Sequence, residues 1–434
     1  MIVSEYTIPG MHIRDHLVDV PLDWRGAPDG PTIKLFAREV VNPTKKHEDL
    51  PLLVFLQGGP GGKSPRPQMA GPGWLVEALK SYRVILPDQR GTGRSTPVDA
   101  HTMGQFASAE RAGDYLAHFR ADSIVADFEH LRKTAFGGRR WQSLGQSYGG
   151  FLTLTYLSQA PEGLSACYVT GGLASIHPSA QEVYRRTYPR VEAKTARYYK
   201  RYPDDARLIG QLADFIDAND VRLPDGDRLT VRRLQTVGID FGMKPGFENI
   251  HWLMNEAFAG PGLDRLSDQF LFEAMKLTSY DGNPLFFVMQ ESIYGAGSGA
   301  TAWAADQVRQ TLPQFDPKRR PLLFTGEMMF PWMLDEIRSL RPFKPGAEAL
   351  AQRENHSQLY DPDRLVANEV PLAAIIYHDD MYVDAGLSLE TATTVGNVDY
   401  WVTNEFEHDG LRQDAGVFRR LKQNVEALGG PLAG

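Results

Sequence analysis

The sequence predicts an α/β protein: a mostly parallel, doubly wound sheet with a helical domain inserted into it. Three observations carry that expectation. Continuous apolar runs of strand length recur and end in glycine-rich loops, as strands buried on both faces should. One of these runs is followed by Gly145-Gln146-Ser147-Tyr148-Gly149, a G-x-S-x-G pentapeptide that leads into an apolar segment of helical spacing. From about residue 176 to residue 368 the strand pattern gives way to a helical one, and strand-type runs then resume. The expected organisation is a first part of the core at 1–175, a helical insertion at 176–368 and a second part of the core at 369–434.

From Tyr6 to Asn42, short β-type runs are broken by Pro21, Gly26, Pro28 and Pro31, which predicts an antiparallel edge leading into the main sheet. Leu52-Leu53-Val54-Phe55-Leu56 and Tyr82-Arg83-Val84-Ile85-Leu86 read as buried strands. Ile124, Val125, Phe128 and Leu131 fall at helical spacing between Asp122 and Phe136, ahead of the strand that carries Ser147. A helix follows from Phe151 towards Pro161, then a strand over Ala166-Cys167-Tyr168-Val169-Thr170. Within the helical region only Leu322-Leu323-Phe324-Thr325 has strand character. Val370 to Tyr377 and Asp399 to Thr403 resume the sheet, and a last helix is expected from about Arg412 to Leu428.

At 434 residues the chain exceeds one ordinary domain, and 42% apolar with 23% charged residues is the balance of a globular protein with a sizeable core. A net charge of −8 argues against nucleic acid or an anionic membrane as partner, because both require a basic face. The single cysteine, Cys167, excludes an internal disulfide and a cysteine-based zinc site. With no positive n-region and apolar h-region at the start, and no run of membrane-spanning length, a cytoplasmic location is expected.

The chemistry centres on Ser147. Its pentapeptide places a serine on a strained strand-to-helix turn, where small neighbours let the chain pass and the helix N-terminus favours developing negative charge. A serine hydroxyl is a weak nucleophile near neutral pH, so it needs an imidazole base and a carboxylate to orient that base. In this topology the acid follows a later strand and the histidine follows the last one. His408, in Glu407-His408-Asp409-Gly410, is the histidine so placed; Asp380 is the expected acid, with Asp379 and Asp384 as competitors. His378 beside these acids lacks metal-ligand spacing, so no metal is expected. The loop Gln57-Gly58-Gly59-Pro60-Gly61-Gly62-Lys63-Ser64 fails as a phosphate loop, since residue 57 is not glycine and Pro60 removes an N–H. Beside a strand end it suits an oxyanion loop instead. Gly91-Thr92-Gly93 lacks the third glycine of a dinucleotide motif, and Asp88 and Arg90 read as structural charges in a tight turn.

Together, Gln57-Gly58-Gly59-Pro60-Gly61-Gly62, Asp88-Gln89-Arg90-Gly91-Thr92-Gly93-Arg94-Ser95, Gly145-Gln146-Ser147-Tyr148-Gly149-Gly150 and Glu407-His408-Asp409-Gly410 resemble the proline iminopeptidases of the α/β-hydrolase superfamily. The resemblance implies an α/β-hydrolase fold whose helical insertion is a cap domain. It implies Ser147 as nucleophile, Asp380 as orienting acid, His408 as base, and the N–H groups of Gly59 and Tyr148 as the oxyanion hole. The implied activity is serine aminopeptidase: release of an N-terminal residue, preferably proline, through an acyl-enzyme, without a cofactor. The implied partners are peptides with a free N-terminus. Two positions depart from the family pattern: Gln57 stands where histidine is usual, and the Glu-Asn-His-Tyr stretch of the usual cap is absent.

A free amino terminus calls for a carboxylate. Glu291 and Glu327 are the preferred candidates because apolar runs precede them, with Glu256 behind, and Phe286, Phe287, Tyr294, Phe330 and Trp332 are the aromatics available to wall a proline ring. The alternatives are an esterase or amidase with the same three residues, and a catalytically inactive binding protein on the same fold.

Overall fold

The computed structural model describes residues 1–433 apart from 28, 69–72 and 261–263, so the expected break at Pro28 lies outside the described residues. Three strands, β1 (Ile2–Ile8), β2 (Met11–Pro21) and β3 (Thr32–Val41), form an antiparallel edge. β4 (Leu52–Leu56), β5 (Arg83–Pro87), β6 (Trp141–Gln146), β7 (Leu164–Thr170), β8 (Leu372–Tyr377) and β9 (Val398–Thr403) complete the sheet. Among the described residues it has nine strands in the order β1-β2-β3-β5-β4-β6-β7-β8-β9. β3 meets β5 antiparallel, and every later pairing is parallel.

The central strands β4, β7 and β8 are buried along their whole length because both faces are covered. Leu53 and Phe55 of β4 point into one core with Trp74, Phe418 and Val425, where Phe55 stacks on Trp74 with ring centroids 4.5 Å apart. Leu52, Val54 and Leu56 point into the other, which continues through Phe128 and Leu152 into the helical region. Each such side chain, fully buried, contributes about 1.5–3 kcal/mol.

Six helices matter for the site: α1 (Ala121–Ala135), α2 (Tyr148–Gln159), α3 (Ala180–Arg201), α4 (Pro284–Met289), α5 (Ala304–Gln310) and α6 (Ala415–Ala427). Sequence sets their starts. Ser179 accepts the Glu182 N–H ahead of α3 and Asn283 accepts the Phe286 N–H ahead of α4, each satisfying an orphan donor of the first turn. The described residues between β7 and β8 are predominantly helical. Parts of that region reach the loops after β4, β5, β8 and β9: Phe286 faces Gly59, Leu285 faces Gly91, the Ile239 carbonyl accepts the Tyr382 hydroxyl, and the Gly242 carbonyl accepts the His408 N–H.

Two local expectations are corrected. Leu322–Thr325 forms no strand; Gln235 holds it instead, donating from its side chain to the Leu323 carbonyl and accepting the Thr325 N–H at its own carbonyl. The last helix is broken in two, Gly410–Gln413 and α6, because the Asp414 carboxylate accepts the Gly416 N–H and starts α6 afresh. Among the described residues no helix is long and apolar enough to cross a membrane.

Candidate active site

The site is built where β4, β6 and β7 end. Ser147 sits at the junction of β6 and α2 with φ 55° and ψ −123°, a conformation that is strained for any residue with a side chain. Its N–H donates to the Thr170 carbonyl at 2.9 Å, and its carbonyl accepts the Gly150 N–H at 2.7 Å, so neighbouring strand and helix hold the turn in place. Gly149 packs so tightly on the Leu56 carbonyl that no Cβ could fit between them. Gly149→Ala is therefore expected to prevent the elbow from closing, with soluble expression and the cooperative thermal transition both lost; a stably folded variant would contradict this packing account.

The glycine-rich loop lies against the elbow. A Cβ on Gly58 would stand 2.6 Å from the Gln146 carbonyl and 2.9 Å from the Ser147 Cβ. Gly59 follows at φ +63°, and its carbonyl accepts the Gly62 N–H at 3.1 Å, which folds the loop back on itself. Neither the Gly59 nor the Tyr148 N–H donates to a protein acceptor in the turns and loops of the described residues. The nearby charges are structural, as expected. Asp88 accepts from Arg66 and from the Ser64 and Arg94 N–H groups, while buried Arg90 pairs with Asp127 and donates to the carbonyls of Pro21, Leu22 and His118.

Asp380 and His408 are brought together from the loops after β8 and β9. Asp380 Oδ2 lies 2.6 Å from His408 Nδ1, and Asp380 Oδ1 accepts the N–H groups of Tyr382 and Val383 at 2.8 and 3.1 Å. The competing acids are otherwise engaged. Asp379 pairs with Arg197, whose guanidinium holds its carboxyl down at about 2, and Asp384 accepts the Leu387 N–H at the start of a helix. The turn Gly171-Gly172 joins the two halves of the site. A Cβ on Gly171 would stand 3.1 Å from His408 Nδ1, and Gly172 is pressed against the Ser147 carbonyl. Tyr382 sits edge-on to the His408 ring with centroids 4.9 Å apart. His408 Nε2 is buried and has no hydrogen-bond partner among the described residues. Burial alone would favour the neutral imidazole, but the Asp380 carboxylate and then Glu327 outweigh it, so the histidine titrates above its ordinary range.

The two candidate glutamates part company. Glu327 keeps some exposed surface, and its carboxyl is pushed up to about 7, first by burial; the neighbouring His408 opposes the shift and Asp380 adds to it. It is thus within electrostatic reach of both residues. Glu291 is buried, and its two oxygens accept the Ala304 and Ala305 N–H groups at 2.8 and 3.2 Å, closing the N-terminus of α5. Burial pushes its carboxyl to about 7 as well, against those hydrogen bonds. Glu256 is exposed. Of the candidate aromatics, Phe286 faces Gly59, and Tyr294 lies near enough to Glu327 and Asp380 to feel both charges. Phe287 and Phe330 are core residues, and Trp332 stacks on Phe330 with the Arg232 guanidinium 4.6 Å from its ring centre. Among the described residues no group of three or more His, Cys, Asp or Glu side chains could hold a metal ion. A cavity of about 710 Å³, lined by Arg25, Arg120, Asp122, His356 and Gln159, lies towards the far end of α2 and is not part of this site.

Both glutamates bind a proton more tightly folded, at about 7, than unfolded, at 4.5. Their stabilising contribution is therefore fully present below the unfolded value and is lost as pH rises through about 7. Glu291→Gln, which mimics the protonated acid, is expected to gain on the parent protein by up to about 3 kcal/mol as pH rises from about 5 to about 8. Calorimetric Tm values of both proteins across that range test this; a pH-independent difference would contradict it.

The sequence alone does not single out Gln290, a buried neutral residue that follows α4 and is near enough to the Glu327 carboxylate to favour its charged form. The signal was available: a glutamine that ends the apolar run Leu285-Phe286-Phe287-Val288-Met289 needs a polar partner inside.

A mostly parallel sheet with a strained serine at a strand-to-helix elbow, and an aspartate and histidine paired from the loops after its last two strands, defines the α/β-hydrolase class, and a family model described as alpha/beta hydrolase fold matches residues 51–259. A proline iminopeptidase of Aeromonas sobria is 43% identical over 410 residues, which cover 94% of this chain and 95% of that protein. A proline iminopeptidase of Aspergillus aculeatus is 32% identical over 412 residues, covering 92% and 90%. The chain belongs to the proline iminopeptidase family.

Proposed function

We propose that this protein is a serine aminopeptidase that removes an N-terminal residue, preferably proline, from peptides. The full-length similarity to proline iminopeptidases supports the activity. The observation that carries the mechanism is the Asp380–His408 pair at 2.6 Å, set against the Gly171-Gly172 turn that also packs on Ser147. In this reading His408 Nε2 takes the Ser147 hydroxyl proton as Oγ attacks the carbonyl of the first residue. The Gly59 and Tyr148 N–H groups receive the oxyanion. Collapse of the tetrahedral intermediate breaks the peptide bond, and His408 returns the proton to the leaving amine. Water then repeats the sequence on the prolyl ester, with His408 again as base, and frees the amino acid. Asp380 fixes the imidazole tautomer and offsets its charge. No step requires a cofactor.

Residues 176–368 act as a cap that supplies specificity. Glu327 is the partner of the substrate ammonium, and Phe286 with Tyr294 walls the ring. Glu291, the other expected amine ligand, serves by fixing α5, because both its oxygens are committed to backbone donors. The substrates are peptides with a free N-terminus, and the lone buried thiol Cys167 fits a reducing cytoplasm.

The test compares a proline arylamide, its N-acetyl derivative and a p-nitrophenyl ester. Hydrolysis of the free-amine arylamide with little turnover of the acetylated one is expected. Ester turnover with no aminoacyl-arylamide turnover would replace the peptidase reading with an esterase; no turnover of any would favour a binding role.

A further inference from the structure

Gln290 is 1% exposed, directly after α4. Its N–H donates to the Phe286 carbonyl at 3.1 Å, one turn from the ring that faces Gly59, and its side chain is near enough to the Glu327 carboxylate to favour the charged form. The NH₂ end must be the one that faces the carboxylate, because the opposite orientation would set two acceptors against each other. That leaves Oε1, which is buried and has no donor among the described residues. Buried acceptors are nearly always satisfied, and one left open beside a carboxylate invites a ligand's donor. Glu291 offers no rival acceptor, since Ala304 and Ala305 occupy it.

We propose that Gln290 is the second acceptor for the substrate amine, with Oε1 taking one N–H and Glu327 taking the other. This rests on the reading of Glu327 as the ammonium partner. An N-terminal proline is a protonated secondary amine with two N–H groups, and two acceptors satisfy it completely. Every other common N-terminal residue brings three, and the third would enter a buried site with nothing to receive it. A site built for two donors therefore penalises the primary ammonium, which gives the proline preference a basis in hydrogen bonding as well as in ring shape.

The experiment is a cycle between enzyme and substrate, run on the full chain with prolyl-arylamide and N-methylprolyl-arylamide. N-methylation leaves one N–H, which the charged acceptor keeps. In the parent protein it is expected to lower kcat/KM by about tenfold or more, mostly through KM. In Gln290→Met and Gln290→Ala, which lack the acceptor, the penalty is expected to shrink to within about threefold, and in Gln290→Glu, which retains one, to persist. Each ratio is taken within one enzyme, so partial loss of folded protein cancels. An equal penalty in all four proteins would show that the methyl group acts by bulk alone and would overturn the proposal. Absence of any prolyl-arylamide turnover by the parent, alongside ester turnover, would instead remove the aminopeptidase reading and this inference with it.

Discussion

Ser147→Ala is expected to reduce kcat on prolyl-arylamide by roughly 10⁶-fold while leaving the fold and substrate binding intact. Alanine fits the elbow, because the close contacts there are made by the serine backbone and its glycine neighbours: the Ser147 N–H to the Thr170 carbonyl, and Gly149 against Leu56. What is lost is the hydroxyl that forms the acyl-enzyme in the proposed mechanism. His408→Ala should cost a similar factor, and the double variant little more than either alone, because the two residues act as one unit. Asp380→Asn should cost about 10⁴-fold, since the amide would present either the wrong tautomer or a weaker partner to His408 Nδ1. Steady-state kinetics on the purified variants, with a Tm measurement to confirm folding, decide this. Retention of more than about a hundredth of the parent rate by Ser147→Ala would assign the chemistry elsewhere.

Glu327→Gln is expected to have the second largest effect, with a different signature. Removing the charged partner of a buried ammonium costs about 2–5 kcal/mol, or roughly 30- to several-thousand-fold in kcat/KM. The loss should fall on free-amine substrates and spare N-acetylated arylamides and p-nitrophenyl esters of simple acids, which carry no ammonium. Because the Glu327 carboxyl sits at about 7 in the free protein, the parent should bind amine substrates more weakly below that pH, where the carboxyl is protonated. The variant should lose that part of the pH dependence and keep the limb that belongs to His408. An equal loss on amine and ester substrates would mean that Glu327 acts on the histidine alone.

The parts of this molecule that were legible in the sequence are those fixed by local geometry. The elbow at Ser147 shows because a strained turn between strand and helix tolerates so few residues. Asp380 and His408 show because parallel strands bring the loops after β8 and β9 to the same edge of the sheet as the elbow after β6. The strands β4, β5, β7 and β8 show because burial on both faces leaves mostly apolar runs. What was not legible depends on partners distant in sequence. Leu322–Thr325 has the composition of a strand, yet Gln235 supplies its hydrogen bonds and no neighbouring strand is needed. Glu291 and Glu327 follow similar apolar runs, and nothing local tells that one carboxylate closes a helix while the other lies within electrostatic reach of the histidine. Gln290 gave no charge to notice. The helical region shares no periodic rule with the sheet, so its contacts with Gly59, Gly91 and His408 emerge only in three dimensions.

The most direct test of the central claim is to trap the acyl-enzyme. The protein is mixed with a prolyl ester, quenched in acid before the first turnover is complete, and mapped by peptide mass spectrometry. The account predicts one added prolyl group, located on Ser147 and absent from Ser147→Ala. An unmodified Ser147 during active turnover, or the prolyl group on another side chain, would contradict it.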